Sequence, residues 1–137
     1  VVRALSSSIT IPFRHLILHH HEIGLHRGRR WGFREVFGLS SLKNMPFIRL
    51  AMLVKQAYEG RPPAHEGWPA QREALQWIVD KGRDGIYALD PRQNIRVRRN
   101  IGVGYFIDDG HHRALALYIL GEASIRATLT QLKTRQA

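Results

Sequence analysis

The sequence predicts an α+β domain, on three observations. Apolar residues recur at helical spacing from about residue 44 to residue 82, and the period falls to two from about residue 84. The segment "RALALYIL" (Arg113 to Leu120) is apolar on nearly every side, as a helix enclosed by other elements would be. At 137 residues the chain fits one domain, 1–137. Its N-terminal part, 1–43, is the least patterned, and residues 84–130 hold the strands around the buried helix.

Taken in order, "ITIPFRHLILHHH" (9–21) predicts a strand, because Ile9, Ile11, Phe13 and Ile17 alternate. Thr10 ahead of Ile11-Pro12 leaves a helix start open as the other reading. "HRGRR" (26–30) predicts a basic loop, and "WGFREVFGL" an irregular or helical piece. Asn44 and Pro46 open a helix that Gly60 stops, with Phe47, Leu50, Ala51, Val54 and Ala57 on its buried stripe. After the loop "RPPAHEG", Pro69 suits the first turn of a second helix; Ala70, Ala74, Trp77 and Ile78 form its stripe and Gly82 ends it. "GIYAL" predicts a short strand, "DPRQN" a turn, and "IRVRR" a strand with one packed and one wet face. "IGVGYFI" aligns Ile101, Val103, Tyr105 and Ile107 on one face, while Gly102 and Gly104 admit a close neighbour on the other. A helix over 111–120 ends at Gly121, and Ala123, Ile125, Ala127 and Leu129 alternate in a last strand before the tail "KTRQA".

Composition narrows the function. The absence of cysteine excludes disulfides, thiolate metal sites and cysteine catalysis, and fits a reducing, cytoplasmic compartment. No apolar run reaches the roughly 18–20 residues that cross a bilayer. "VVRALSSSIT" is too polar for the core of a signal peptide, and valine at position 1 points to processing or to a longer parent chain. The net charge is +10, with a pI near 11.0. Such a basic chain is expected to meet polyanions, nucleic acid or nucleotides above all, and its excess of arginine over lysine suits phosphate. Charge serving solubility alone is the plainer alternative.

The chemistry concentrates in "YFIDDGHHRALALYILG" (Tyr105 to Gly121). A helix start offers unpaired N–H groups and partial positive charge, which together make an anion site. Asp109 is placed to cap it, accepting from the N–H groups of His112 or Arg113, and Gly110 permits a tight turn and a close ligand. His111, His112 and Arg113 then offer donors from the same turn. An ordinary N-cap followed by a surface histidine pair is the alternative reading. Asp108, His111 and His112 also bear metal-ligand atoms, although adjacent helical histidines diverge and Arg113 repels a cation.

This stretch resembles the signature of the ParB/sulfiredoxin-like superfamily, and in particular its ParB-like nuclease branch. The match runs through Asp109, Gly110, His111, His112, Arg113, Ala114 and Gly121, within a likeness covering about residues 84–129. "GFREV" (Gly32 to Val36) loosely resembles a Gly-x-x-Glu-Val element ahead of the signature in some relatives. The resemblance implies a small mixed sheet flanked by helices, with phosphate of a nucleotide or nucleic acid held at Gly110, His111, His112 and Arg113. It implies a phosphodiester nuclease, with His111 or His112 moving a proton and Glu35 or Asp108 orienting water or an ion. Its cofactor would be a divalent metal or a nucleoside phosphate. Sulfiredoxin chemistry needs a cysteine this chain lacks, and with the motif near the end of the given sequence, sequence-specific DNA partition is not expected. A nucleotide-dependent small-molecule kinase and a non-catalytic nucleotide- or nucleic-acid-binding module are the alternative functions.

Two further groups deserve placement. His15, His19, His20, His21 and His26 form a cluster that would bind metal only if two shared a face, and otherwise lies on the surface. Arg27, Arg29 and Arg30 with Arg92, Arg96, Arg98 and Arg99 could make one polyanion face, with Trp31 and Tyr105 as stacking surfaces, or two separate solvated edges. Trp68 and Trp77 are expected in packing.

Overall fold

The computed structural model describes residues 3–24, 31–89, 94–100, 102 and 104–133. In chain order they form β1 (Arg3–Pro12), a 3-10 turn (Phe13–His15), β2 (Leu16–Leu18), α1 (Phe33–Val36), α2 (Phe47–Glu59), α3 (Trp68–Val79), α4 (Gly82–Tyr87), β3 (Arg96–Arg99), β4 (Tyr105–Asp109), α5 (His111–Ile119) and β5 (Ser124–Lys133). The architecture is α+β: five strands in one open mixed sheet, flanked by helices. Among the described residues no helix is long and apolar enough to cross a membrane.

The sheet order is β1-β5-β3-β4-β2. β1 and β5 pair antiparallel from Arg3↔Lys133 to Pro12↔Ser124. β3 lies parallel to β5 and antiparallel to β4, with a register shift between Arg96 and Val97. β2 lies parallel to β4, Leu16 facing Tyr105 and Leu18 facing Ile107. The strand expected over 9–21 is therefore broken in two. Pro12 has no N–H to continue the ladder, and Phe13 turns into the core, where its ring stacks on Phe47 (6.0 Å) and meets Tyr118 edge-on (5.2 Å).

One face of the sheet carries Ile11, Leu16, Leu18, Val97, Ile107, Ile125 and Ala127, all buried. α5 lies against it, and α2 and α3 pack on α5. Ala114, Leu115, Ala116 and Leu117 are four consecutive buried residues, so α5 has core on every side. That enclosure is what its composition predicts. The stripe expected for α2 is the observed one: Phe47, Leu50, Ala51, Val54 and Ala57 are its buried residues.

Two elements differ from expectation. α3 buries Trp68, Gln71, Leu75 and Ile78, while Ala70 and Ala74 are only partly covered and Trp77 is 59% exposed. The helix is rotated so that the polar Gln71 faces inward, toward partners 40 and 41 residues distant in sequence. "GIYAL" is not a strand: Gly82–Tyr87 is helical, and Gly82 opens that helix rather than only closing α3. Five alternating residues fit a helical turn as well as a strand. The turn buries Ile86 and sends the Tyr87 hydroxyl to accept a hydrogen bond from the Arg126 N–H (2.9 Å), at the β5 edge where β3 has not yet begun. Ile101 and Val103 lie outside the described residues, as does the expected tail from 134 on.

Candidate functional site

β4 leaves the sheet at Asp109, Gly110 turns the chain, and α5 begins at His111. Gly110 has φ 86°, a left-handed conformation, and a Cβ there would lie 2.8 Å from Ile95 Cα and 2.9 Å from Ile95 Cγ1. Only glycine meets both demands. The turn is thus clamped between β4, α5 and the residue that precedes β3.

Asp109 does not cap α5, and no described side chain does. It is still in the sheet, in register with Arg96, so its carboxylate is drawn sideways. One oxygen accepts from the Gly110 N–H (2.8 Å) and the other from Arg96 (2.9 Å). Burial alone would raise its pKa; the Arg96 and Gly110 hydrogen bonds, with the Arg96 charge and His111, instead hold the carboxyl below the usual carboxylate range. Asp108, one residue earlier, accepts from Arg98 Nε at 2.5 Å. That hydrogen bond raises the Arg98 guanidinium further, against the opposing effect of burial.

An open cleft of about 840 Å³ lies at this turn. Asp108, Asp109, Gly110, His111, His112 and Arg113 all reach its wall, joined by His20, Glu22, Ile23 and Gly24 from the segment after β2 and by Trp77, Ile78 and Leu89. Each carboxylate on that wall has an arginine: Glu22 pairs with Arg34 (2.5 Å), Asp108 with Arg98 (2.5 Å) and Asp109 with Arg96 (2.9 Å). The acidic groups are therefore neutralised in place, and an anion entering the cleft meets no unpaired carboxylate there.

The two histidines part company, as successive residues on a helix must at about 100° per residue. His111 turns toward His20, ring centroids 5.2 Å apart, with its Nε2 shielded from solvent. Burial first, then repulsion from His20 and His112, lowers its pKa to about 4, against Asp109 and a hydrogen bond with the Ile107 backbone. It is neutral near pH 7. His112 turns inward, tilted against Phe33 at 5.3 Å, and its Nε2 donates to Gln71 Oε1 at 3.1 Å. Gln71 is fully buried and donates in turn to the Trp31 carbonyl. Arg113 borders both the cleft and a cavity of about 60 Å³ beside Tyr87, Ile95 and Arg126. His111 and His112 thus diverge from one turn, and Arg113 stands between the cleft and the smaller cavity.

Gln71 links α3, α5 and the strand-like segment at Trp31 through a pair of hydrogen bonds. Gln71→Leu removes both partners' bonds without opening much space. It is expected to cost about 1–3 kcal/mol, read as a lower urea midpoint with an unchanged slope.

Other expected site residues lie elsewhere. Glu35 stands on α1, 3.6 Å from Arg34, and does not line the cleft; Glu22, which shares that arginine, does. Arg96 and Arg98 are engaged by Asp109 and Asp108, and Arg99 is exposed. Arg27, Arg29, Arg30, Arg92 and His26 lie outside the described residues. Trp31 is partly buried and packs edge-on against His65 at 4.9 Å. Among the described residues no group of three or more His, Asp or Glu is placed to hold a metal ion, the Asp108, His111 and His112 combination included. His20, Glu22, Gln71 and Trp77 reach or support the site without any sequence signal for it. Only the three-dimensional pairing of β2 with β4 brings His20 alongside Asp108, whose carbonyl accepts from His20 Nε2 at 3.0 Å.

Compared with known protein families, curated proteins and solved structures, the chain matches none.

Proposed function

We propose that this chain is a phosphate-binding domain of the ParB/sulfiredoxin-like kind that acts on nucleic acid and cuts phosphodiester bonds. The observation that carries the reading is the cleft at the start of α5, where a clamped glycine turn, Arg113 and arginine-neutralised carboxylates meet in a chain of net charge +10. The first-turn amides and Arg113 would hold the phosphate. His111, neutral and shielded, is suited to shaping the cleft, and His112 to tying α5 to α3. The proton falls to His20. With Nε2–H donated to the Asp108 carbonyl, its Nδ1 keeps a lone pair for a water proton. Water adds to phosphorus, the bond to the leaving oxygen breaks, and solvent protonates that oxygen.

The test is to incubate plasmid and single-stranded DNA with the wild type, His20→Ala and Arg113→Ala, with and without a divalent cation. The wild type is expected to cut, His20→Ala to cut about 100-fold more slowly, and binding to weaken steeply with salt. Arg113→Ala is expected to bind about tenfold more weakly. Absence of both cutting and salt-dependent binding in the wild type removes the reading. Saturable nucleotide binding with little salt dependence would instead favour the small-molecule kinase, and binding without cutting the non-catalytic module.

A further inference from the structure

The same cleft has a wall that a phosphate alone does not need. Trp77, Ile78 and Leu89 make part of it apolar. Trp77 is 59% exposed, the most exposed of the large apolar side chains among the described residues, although it sits on a helix whose Trp68 is 4% exposed. Lys81, one turn further on, holds its ammonium 3.9 Å from the Trp77 ring centroid. That contact steadies the ring and places a positive charge beside it. At 59% exposure the indole keeps open surface beyond that contact. A cavity of about 840 Å³ is within the range of roughly 300–1,000 Å³ usual for small-ligand sites.

An aromatic plate and a phosphate-directed turn in one cleft match the two ends of a nucleotide. We propose that Trp77 is a base-stacking platform and that the occupant of the cleft is single-stranded nucleic acid, with one base on Trp77 and its phosphate at Gly110–Arg113. The charge of +10 favours a polyanion over an apolar guest. A single strand is required because bases in a duplex stack on one another and offer no free face. This assignment rests on the phosphate reading above and adds the base to it.

The experiment uses fluorescence anisotropy with two labelled strands of about 12 nucleotides, one of thymidines and one that keeps the sugar-phosphate chain without bases. The wild type is expected to bind the thymidine strand more tightly than the abasic one. Trp77→Ala is expected to lose about 5- to 100-fold on the thymidine strand while its affinity for the abasic strand stays unchanged. Trp77→Phe, which keeps an aromatic face, is expected to restore most of the loss, and the tryptophan quenching expected of the wild type on binding should be smaller in it. Equal wild-type affinity for both strands leaves the phosphate reading standing and overturns the platform. So does a Trp77→Ala loss that is the same on both strands. If the wild type binds neither strand, both readings fall.

Discussion

Gly110→Ala is expected to destabilise the domain by about 2–5 kcal/mol, the sum of roughly 1–2 for a left-handed non-glycine residue and roughly 1–3 for overpacking. The clash partner is backbone, Ile95 Cα at 2.8 Å, so a rotamer change cannot relieve it. Gly121→Ala is the control. Gly121 has φ 90° and nothing within 4 Å of the added Cβ, so it should show the conformational cost alone, about 1–2 kcal/mol. The measurement is urea unfolding of both variants beside the wild type. If Gly110→Ala proves no worse than Gly121→Ala, the turn is not clamped against Ile95. Under the proposed function the same variant should also weaken phosphodiester binding, since any relief of the clash moves the first turn of α5 away from Ile95.

The second large effect is in acid. The unfolded chain protonates His111 near its ordinary value of 6.5, whereas the folded chain resists until about pH 4. Between those values the unfolded state binds more protons, so stability is full above about pH 6.5 and falls as the pH drops toward 4. At 1.36 kcal/mol per unit, the loss attributable to this ring amounts to roughly 3 kcal/mol. His111→Phe keeps an aromatic ring and cannot titrate. It should be less sensitive than the wild type when urea midpoints at about pH 7.5 and about pH 4.5 are compared. Parallel losses in the two proteins would show that His111 is as readily protonated folded as unfolded. Asp109 acts in a separate, lower window: its folded carboxyl is held down, so its contribution is present above the unfolded carboxylate range and disappears only in stronger acid.

The elements that could be recognised in the sequence are those whose pattern is local. The α2 stripe, the apolar run of α5 and the alternation of β3 and β5 each repeat with a period that one face of one element imposes. The Asp-Gly turn was legible for a similar reason, because glycine before a buried helix has few other uses. What the sequence could not disclose depends on distant partners. Gln71 is buried because His112 and Trp31 satisfy it, and nothing near residue 71 announces either. The rotation of α3 follows from that inward glutamine, and with it the exposure of Trp77. Asp109 has every local qualification for an N-cap and is diverted by Arg96 across the ladder. His20 joins the cleft only through the parallel pairing of β2 and β4.

The partnership of β1 with β5 also governs how this molecule must be made. Neighbouring segments such as β3 and β4 can find each other early, since little chain separates them. β1 has to wait until Ser124–Lys133 has been synthesised, because its register runs from Arg3↔Lys133 to Pro12↔Ser124. Such high contact order slows folding, and in the interval Ile9 and Ile11 have no strand beside them and are open to pairing with another nascent chain.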